Sequence, residues 1–502
     1  MKSTTRVGML FKRQALRVLA VLAASTLVSC SGYDNSALGV AVVGKPGEVF
    51  ADDGVLVQSS TAEGLVAFDD AGRVIPALAD RWIVTDDGQS YIFRLRDGNW
   101  ADGSPITADS ARRALNAALK GLAERPLALD LAGIDEIRAM TGRVIEVRLN
   151  RPMPYLLQLL AQPELGLYRK GKGTGPMEAT RAGDVLTLGA IDPARLGMPP
   201  IENWAERTRQ IRLRALSGAA AVGAFNDGSA DLVLGGRIQD FLLTRSVGIL
   251  RGTIQLDPVV GLFGLQVMND RGFLAEPGNR EALALAIDRE GLMAPFGVGG
   301  WVPTTRIVTP SLDGDLGVVG ERWVEQTLDE RRAIAAARVR AWHGAPVAGG
   351  GQPPGTLRVS LRLWLPEGGG STVLFNRLSA DLGAIGIGLE RAKEAKEADL
   401  ALVDEVARYP RGAWYLNRLS CHAGTGLCSQ EADERVAEAA TAATPAERAA
   451  LLVEAERVMT GANVFIPFGT PIRWSLVRGS VDGFAANPWG WHPLMPLAWL
   501  PK

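Results

Sequence analysis

Residues 64–110 read GLVAFDDAGRVIPALADRWIVTDDGQSYIFRLRDGNWADGSPITADS, and this stretch decides the fold. Two β-hairpins are predicted in it. The first pairs Val66–Phe68 with Val74–Ile75 around a turn that contains glycine. The second pairs Arg81–Val84 with Tyr91–Arg96 around an Asp-Gly turn, in which glycine accepts a positive φ at little cost. The sequence therefore predicts antiparallel strands at the start of the chain.

A capped helix is predicted directly after the hairpins, because Thr107 is a good N-cap for the helix Ala108–Leu122. The order of particular residues in this region resembles family 5 extracellular solute-binding proteins, the dipeptide- and oligopeptide-binding components of bacterial ABC importers. The matching positions are Glu63-Gly64-Leu65, Pro76-Ala77-Leu78-Ala79, Trp82, Asp86-Asp87-Gly88, Tyr91, Phe93, Leu95-Arg96, Gly98, Asp102-Gly103, Pro105, Thr107-Ala108 and Asp109.

Two later segments extend the resemblance to most of the chain. Asn279–Glu290 (NREALALAIDRE) is similar to a helix pair of the family, and the run from Asp482 to Leu500 is similar to its C-terminal segment. The resemblance implies an α/β fold with two lobes, like a type II periplasmic binding protein with an extra subdomain in its first lobe. A ligand cleft is expected between the lobes.

This organisation predicts how the chain is divided. We expect a lipoprotein signal peptide at 1–29, then a tether and the start of lobe I. The predicted ranges are 30–57 for that tether and start, 58–172 for the extra subdomain, 173–259 for the core of lobe I, 260–471 for lobe II and 472–502 for the return to lobe I.

Composition narrows the function classes. The chain has 502 residues, too many for one hydrophobic core, so two or three domains are expected. Lys and Arg number 54 and Asp and Glu 55, and this balance offers no attraction for nucleic acid. No cofactor and no metal are predicted.

The N-terminus has the features of an exported lipoprotein. Basic residues precede Val18–Val28, an apolar run of 11 residues that is too short to span a bilayer. It leads into Leu27-Val28-Ser29-Cys30, which resembles a bacterial lipobox and implies lipidation of Cys30. The alternative is an ordinary cleaved signal with an incidental cysteine. We therefore expect a protein of the cell envelope, in the periplasm and lipid-anchored to a membrane.

Two cysteines remain, Cys421 and Cys428, and in an exported protein such a close pair indicates a disulfide. A metal site that uses these cysteines with His422 is the alternative, although it lacks a fourth ligand.

The ligand segment is expected after the strand Asp399–Leu402, where the resemblance places ligand contacts and pairing with a peptide backbone. In peptide-binding members, an Asp before a Tyr pairs with the peptide ammonium, but here Arg408 occupies that position. We expect Arg408 or Arg411 to bind a carboxylate or phosphate; alternatively, Arg408 pairs with Glu405 or Asp404, or faces solvent. The predicted ligand-binding residues are Glu405, Val406, Ala407, Arg408, Tyr409, Arg411 and Trp414.

The predicted function is binding without catalysis. The chain has no G-x-S-x-G, H-E-x-x-H or Walker A sequence, and its three His are scattered. We expect a monomeric substrate-binding lipoprotein that delivers a peptide-like or other small solute to an inner-membrane ABC permease. The alternative is a degenerate envelope lipoprotein of the same fold, acting as a sensor or interaction module without uptake.

Overall fold

A computed structural model of the chain describes residues 37–51, 54–248, 252–310, 312, 319–343 and 359–500. Cys30 and the predicted signal peptide lie outside these residues.

The described residues form twenty strands. In chain order they are Ala37–Val43 (β1), Val66–Phe68 (β2), Val74–Pro76 (β3), Ala79–Val84 (β4), Ser90–Leu95 (β5), Ile134–Ala139 (β6), Val144–Leu149 (β7), Tyr168–Arg169 (β8), Lys172–Gly173 (β9), Met177–Ala182 (β10), Val185–Ala190 (β11), Gln210–Leu216 (β12), Leu232–Gly236 (β13), Ile254–Leu256 (β14), Gly261–Val267 (β15), Ser360–Trp364 (β16), Gly388–Arg391 (β17), Leu400–Val406 (β18), Phe465–Gly469 (β19) and Trp474–Val477 (β20).

The same residues form fourteen α-helices. They are Pro46–Val49 (α1), Val55–Thr61 (α2), Ala108–Gly121 (α3), Leu127–Leu131 (α4), Leu156–Leu160 (α5), Trp204–Arg207 (α6), Gly218–Asp227 (α7), Pro277–Ala286 (α8), Arg289–Met293 (α9), Leu328–His343 (α10), Gly369–Gly383 (α11), Gly412–Arg418 (α12), Gln430–Thr441 (α13) and Pro445–Ala462 (α14). Short 3-10 helices occur at Pro163–Leu165, Pro193–Leu196, Ile238–Ser246, Gly272–Ala275, Ala294–Phe296, Ala395–Glu397, Cys421–Ala423 and Pro496–Ala498. Within the described ranges, no helix combines the length and hydropathy that crossing a membrane requires.

The predicted hairpins and the cap in residues 64–110 are confirmed. β2 pairs with β3 and β4 with β5, both antiparallel. The Thr107 hydroxyl accepts a hydrogen bond from the Ser110 N–H, and α3 begins at the next residue, Ala108. β5 then continues into a four-stranded antiparallel sheet in the order β4-β5-β7-β6. The buried side chains of Phe93, Ile145 and Val147 form the core of this unit.

A seven-stranded sheet in the order β10-β11-β12-β1-β13-β20-β14 forms the first large layer. β1 and β13 are parallel neighbours at its centre, with Ala41 opposite Val233. Both residues are fully buried, as expected for central parallel strands that are covered on both faces. The carboxyl ends of the two strands therefore lie side by side, where α/β folds commonly bind ligands.

A five-stranded sheet in the order β17-β16-β18-β15-β19 forms the second large layer. The chain passes from the first sheet to the second between β14 and β15, and returns between β19 and β20. The two crossing segments touch, because the Asp257 N–H donates to the Arg473 carbonyl at 3.1 Å. Two sheets joined by two adjacent segments form a two-lobed α/β molecule.

Candidate functional site

A cavity of about 640 Å³ lies where the two large sheets face each other. We call it the central cavity. The first sheet contributes the ends of β1 and β13, and the second contributes the end of β18 and the segment after it. Its charged lining residues are Glu48, Arg125, Asp130, Glu164, Arg237, Asp404, Glu405, Arg408, Arg418 and Arg473, and its aromatic ones include Trp414, Trp489 and Trp491.

One edge of β18 is open toward this cavity. Along its other edge β18 pairs with β15 over its whole length, from Leu400 to Val406. On the open side, β16 reaches only Leu400 and Ala401, so no described strand pairs with the rest of that edge. In the antiparallel ladder with β15, N–H and C=O groups alternate in direction, so those of Asp404 and Val406 point to the open edge. The lining therefore includes a strand edge that no described strand covers beyond Ala401, although the Asp404 carbonyl on it accepts from Arg473 Nη2 at 2.9 Å.

Three ion pairs use most of the carboxylates that line the cavity. Asp404 Oδ1 accepts from Arg473 Nη1 at 2.7 Å, and both side chains are buried. Glu405 forms a two-point pair with Arg418. The third pair joins Arg408 Nη2 to Glu164 Oε1 at 2.6 Å.

The partner of Arg408 corrects the alternative that we predicted for it. Glu405 and Asp404 are each bound by another arginine, Arg418 and Arg473 respectively. Arg408 instead reaches Glu164, which precedes it by 244 residues, and Gln162 Nε2 donates to the Arg408 carbonyl at 2.9 Å. This contact joins the lobe that contains β18 to the segment after α5.

The remaining predicted ligand residues take different places. Val406 and Trp414 line the central cavity together with Glu405 and Arg408. Ala407 is buried, and its N–H donates to the Val260 carbonyl at 2.8 Å. Tyr409 and Arg411 instead line a second cavity of about 570 Å³, mostly apolar, between α4, the segment before α5 and helices α12 to α14.

A buried carboxylate separates the two cavities. Asp130 lines both of them and is 4% exposed. Its Oδ1 accepts from Tyr409 Oη and from Asn417 Nδ2, each at 2.6 Å. Desolvation raises the pKa of Asp130 to about 7, although the two donors oppose the shift. Tyr155 stacks on Tyr409 at 4.4 Å between ring centroids and closes the cluster.

Arg237 is a cavity residue that we did not predict. It follows Gly235-Gly236 at the end of β13 and is exposed within the lining. Desolvation lowers its pKa, and the neighbouring Arg473 adds to this effect. A glycine pair directly after a buried strand was the available signal, since such a pair ends a strand sharply at a sheet edge.

Cys421 and Cys428 form a disulfide, so the alternative metal site built on these thiolates with His422 is wrong. In the part of the chain that the structure describes, no three His, Cys, Asp or Glu side chains are grouped to share a metal ion.

Two facing α/β lobes around a cavity define the class of solute-binding folds. Residues 73–337, just over half of the chain, match the model of the bacterial extracellular solute-binding proteins, family 5 (middle), and the chain belongs to this family. The fold and the family are those of substrate-binding proteins rather than enzymes.

The comparisons give several relatives of different specificity. The chain is 30% identical over 191 residues to the probable deoxycholate-binding periplasmic protein YgiS of Escherichia coli, covering 31% of this chain and 35% of the relative. It is 23% identical over 290 residues to the periplasmic oligopeptide-binding protein OppA of Escherichia coli, covering 50% and 52%. The matched regions thus span about a third to a half of these curated relatives. The crystal structure of Haemophilus influenzae OppA complexed with RPPGFSPFR has a TM-score of 0.76 at 16% identity and covers 93% of this chain and 99% of that one.

Proposed function

We propose that this protein captures a small, peptide-like solute in the central cavity and delivers it to an inner-membrane permease of an ABC importer. The open edge of β18 is the observation that carries the proposal. An extended ligand backbone could pair with the N–H of Asp404 and with the N–H and C=O of Val406, which point to this edge, as an added strand; the Asp404 carbonyl already accepts from Arg473. The cavity volume of about 640 Å³ is within the range typical of small-ligand sites.

The relatives support this class of function at the level of their printed names. OppA of Escherichia coli is named an oligopeptide-binding protein, whereas YgiS is named a probable deoxycholate-binding one. Since these two names differ in ligand, membership of the family leaves the solute of the present chain to be determined from its own cavity.

The proposed ligand contacts are the predicted residues that line the central cavity, namely Glu405, Val406, Arg408 and Trp414. Closure of the lobes would bury the solute and strengthen its contacts without any change to its covalent structure. We further propose lipidation at Cys30, a periplasmic location at a membrane surface, and a monomer. The predicted lobe limits, 259/260 and 471/472, are part of the same proposal.

Native mass spectrometry of the purified protein tests the proposal, followed by titration with the recovered compound. We expect one small solute per chain, and we expect uptake of that solute to be lost in cells that lack this protein. A bound solute whose uptake is unchanged would favour a sensor over a transport receptor. A Cys30→Ser variant that leaves the membrane fraction would support the lipid anchor; unchanged membrane association would contradict it.

A further inference from the structure

Most carboxylates that line the central cavity are already paired with an arginine, so they attract a ligand cation only weakly. Asp404, Glu405 and Glu164 are each paired with an arginine, and Asp130 is buried and accepts two hydrogen bonds. Only one further carboxylate, Glu48, occurs among the described lining residues, and it belongs to the short helix α1. A ligand ammonium would therefore meet paired carboxylates and five arginines.

Arg237 is in the opposite situation. It makes no ion pair within the described residues, and its one described side-chain hydrogen bond runs from Nη1 to the Asp404 carbonyl at 3.4 Å. Arg473 Nη2 already donates to that carbonyl at 2.9 Å, so the contact adds little for Arg237. A guanidinium has five N–H donors and stays charged at neutral pH. Most of the N–H donors of Arg237 therefore have no acceptor among the described residues.

The local backbone fixes where Arg237 lies. Gly235 has φ of 79°, which favours glycine, and a Cβ on Gly236 would lie 2.2 Å from the ring of Trp474. Trp474 Nε1 also donates to the Arg237 carbonyl at 2.8 Å. The main chain is thus held against Trp474, and the side chain is left in the lining of the cavity.

The walls of the cavity also suit the rest of such a ligand. Trp414, Trp489 and Trp491 provide apolar and aromatic surface. Trp491 Nε1 is a buried donor without a hydrogen-bond partner, and Glu164 Oε2 and Asp404 Oδ2 are buried acceptors without one. Because each of these carboxylates is already neutralised by an arginine, they suit amide or hydroxyl hydrogens better than a full positive charge.

We propose that Arg237 binds an anionic head group of the solute, a carboxylate or a phosphate, and that the cavity selects ligands without a free ammonium group. This inference rests on the proposed function, because it assumes that the central cavity holds the solute. It assigns the charge recognition to the end of β13, on the lobe opposite the substituted position Arg408. A planar carboxylate or a phosphate would receive two parallel N–H bonds from the guanidinium.

A series of four matched peptides tests this inference by isothermal titration. The probes are Ala-Ala-Phe with free ends, its N-acetyl form, the N-acetyl form with a C-terminal amide, and N-acetyl-Ala-Ala-phosphotyrosine amide. We expect the two N-acetyl probes that carry an anion to bind about tenfold or more tightly than the N-acetyl amide. The last probe distinguishes phosphate from carboxylate as the preferred head group.

Arg237→Gln should remove the preference for anionic probes, and Arg237→Lys should keep part of it. Arg212→Gln is the matched control, since Arg212 is exposed on β12 and does not line the cavity. Thermal melts show whether the variants fold. If they do not fold, binding of the four probes to the wild-type protein still tests the inference.

The outcomes separate the two proposals. Equal binding of the acetylated acid, the phosphate and the amide overturns the inference while the proposed function stands. Retention of the preference in Arg237→Gln overturns it in the same way. Tighter binding of the free-amine peptide than of its acetylated form contradicts the exclusion of ammonium. If no probe binds to the wild-type protein, the inference about Arg237 fails, whereas the proposed function is still decided by the solute that native mass spectrometry recovers.

Discussion

Arg408 and Glu164 meet across the central cavity, with Nη2 of the arginine 2.6 Å from Oε1 of the glutamate. The two residues are 244 positions apart: Arg408 follows β18, and Glu164 lies in the 3-10 helix Pro163–Leu165 after α5. The arginine side chain is 31% exposed and the glutamate side chain 14% exposed, so water screens the pair only in part. The pair therefore connects the segment after β18 to the segment after α5.

Removal of the Arg408–Glu164 ion pair should weaken the contact between the segment after β18 and the segment after α5. We expect Glu164→Gln to lower the free energy of unfolding by about 1 kcal/mol, because the charge of Arg408 loses its partner. A double-mutant cycle with Arg408→Gln should give a coupling of about 1 kcal/mol in urea denaturation. Glu178→Gln is the control, since its pair with Arg195 is exposed and 3.5 Å long. Strictly additive effects of the two substitutions would show that the contact is energetically silent.

Asp130 should make stability depend on pH. Its pKa is about 7 in the folded protein against an ordinary 3.8, so between these values the folded state holds a proton that the unfolded state has lost. Stability should therefore fall as pH rises through this window, by up to about 1.4 kcal/mol per pH unit, and should level off above it.

The comparison for this effect is Asp130→Asn, which keeps an oxygen acceptor for Tyr409 and Asn417. The variant should match the wild type near pH 4 and exceed it in stability near pH 8, as measured by denaturant melts at each pH. Asp184→Asn, an exposed position, serves as the control. Parallel pH profiles of wild type and Asp130→Asn would contradict the assignment.

The buried pair between Arg473 and Asp404 should be costly to break. The two side chains are 7% and 8% exposed, and removal of the guanidinium would leave a buried carboxylate without a partner. We expect Arg473→Met to lower the free energy of unfolding by about 3–5 kcal/mol.

Asp404→Asn added to Arg473→Met should restore part of the loss, because the unpaired charge is then removed. Arg362→Met should cost less than about 1 kcal/mol, since its pair with Asp399 is half exposed. An Arg473→Met protein as stable as the wild type would refute the role given to this pair.

The disulfide closes a small loop before α13. In the chain-entropy model, such a loop contributes about 2–3 kcal/mol, so Cys421→Ser with Cys428→Ser should lower the midpoint of urea denaturation accordingly. Wild-type protein in reducing buffer should lose the same amount, whereas the double variant should be insensitive to the reductant. If reduction changes both proteins equally, the effect arises elsewhere.

Local structure could be predicted where neighbours in sequence determine it. The hairpins of residues 64–110 depend on turn glycines, and α3 depends on Thr107 as its cap. Asp288 caps α9 in the same local way, because its Oδ1 accepts the Gly291 N–H at 2.9 Å. Each of these features involves groups only a few positions apart.

The cavity required contacts that no local pattern contains. Arg408 was expected to bind a ligand anion or, as the alternative, to pair with Glu405 or Asp404 or face solvent. Its partner Glu164 comes instead from a distant segment, and the two nearby carboxylates are bound by Arg418 and Arg473. Arg237 was missed for the same reason: its importance depends on which charges around it are already paired. Which charged side chains are paired with each other can be seen only in the folded structure.

The two touching crossing segments at Asp257 and Arg473 have a further consequence. The segment between Asp257 and Arg473 carries the second sheet and its helices, and its two ends lie side by side. We call this segment the cassette. Genetic exchange of that cassette would replace one wall of the cavity and leave the Arg237 wall intact. Chimeras that keep the rest of this chain and take the cassette from a relative would therefore combine the Arg237 wall with a different second wall.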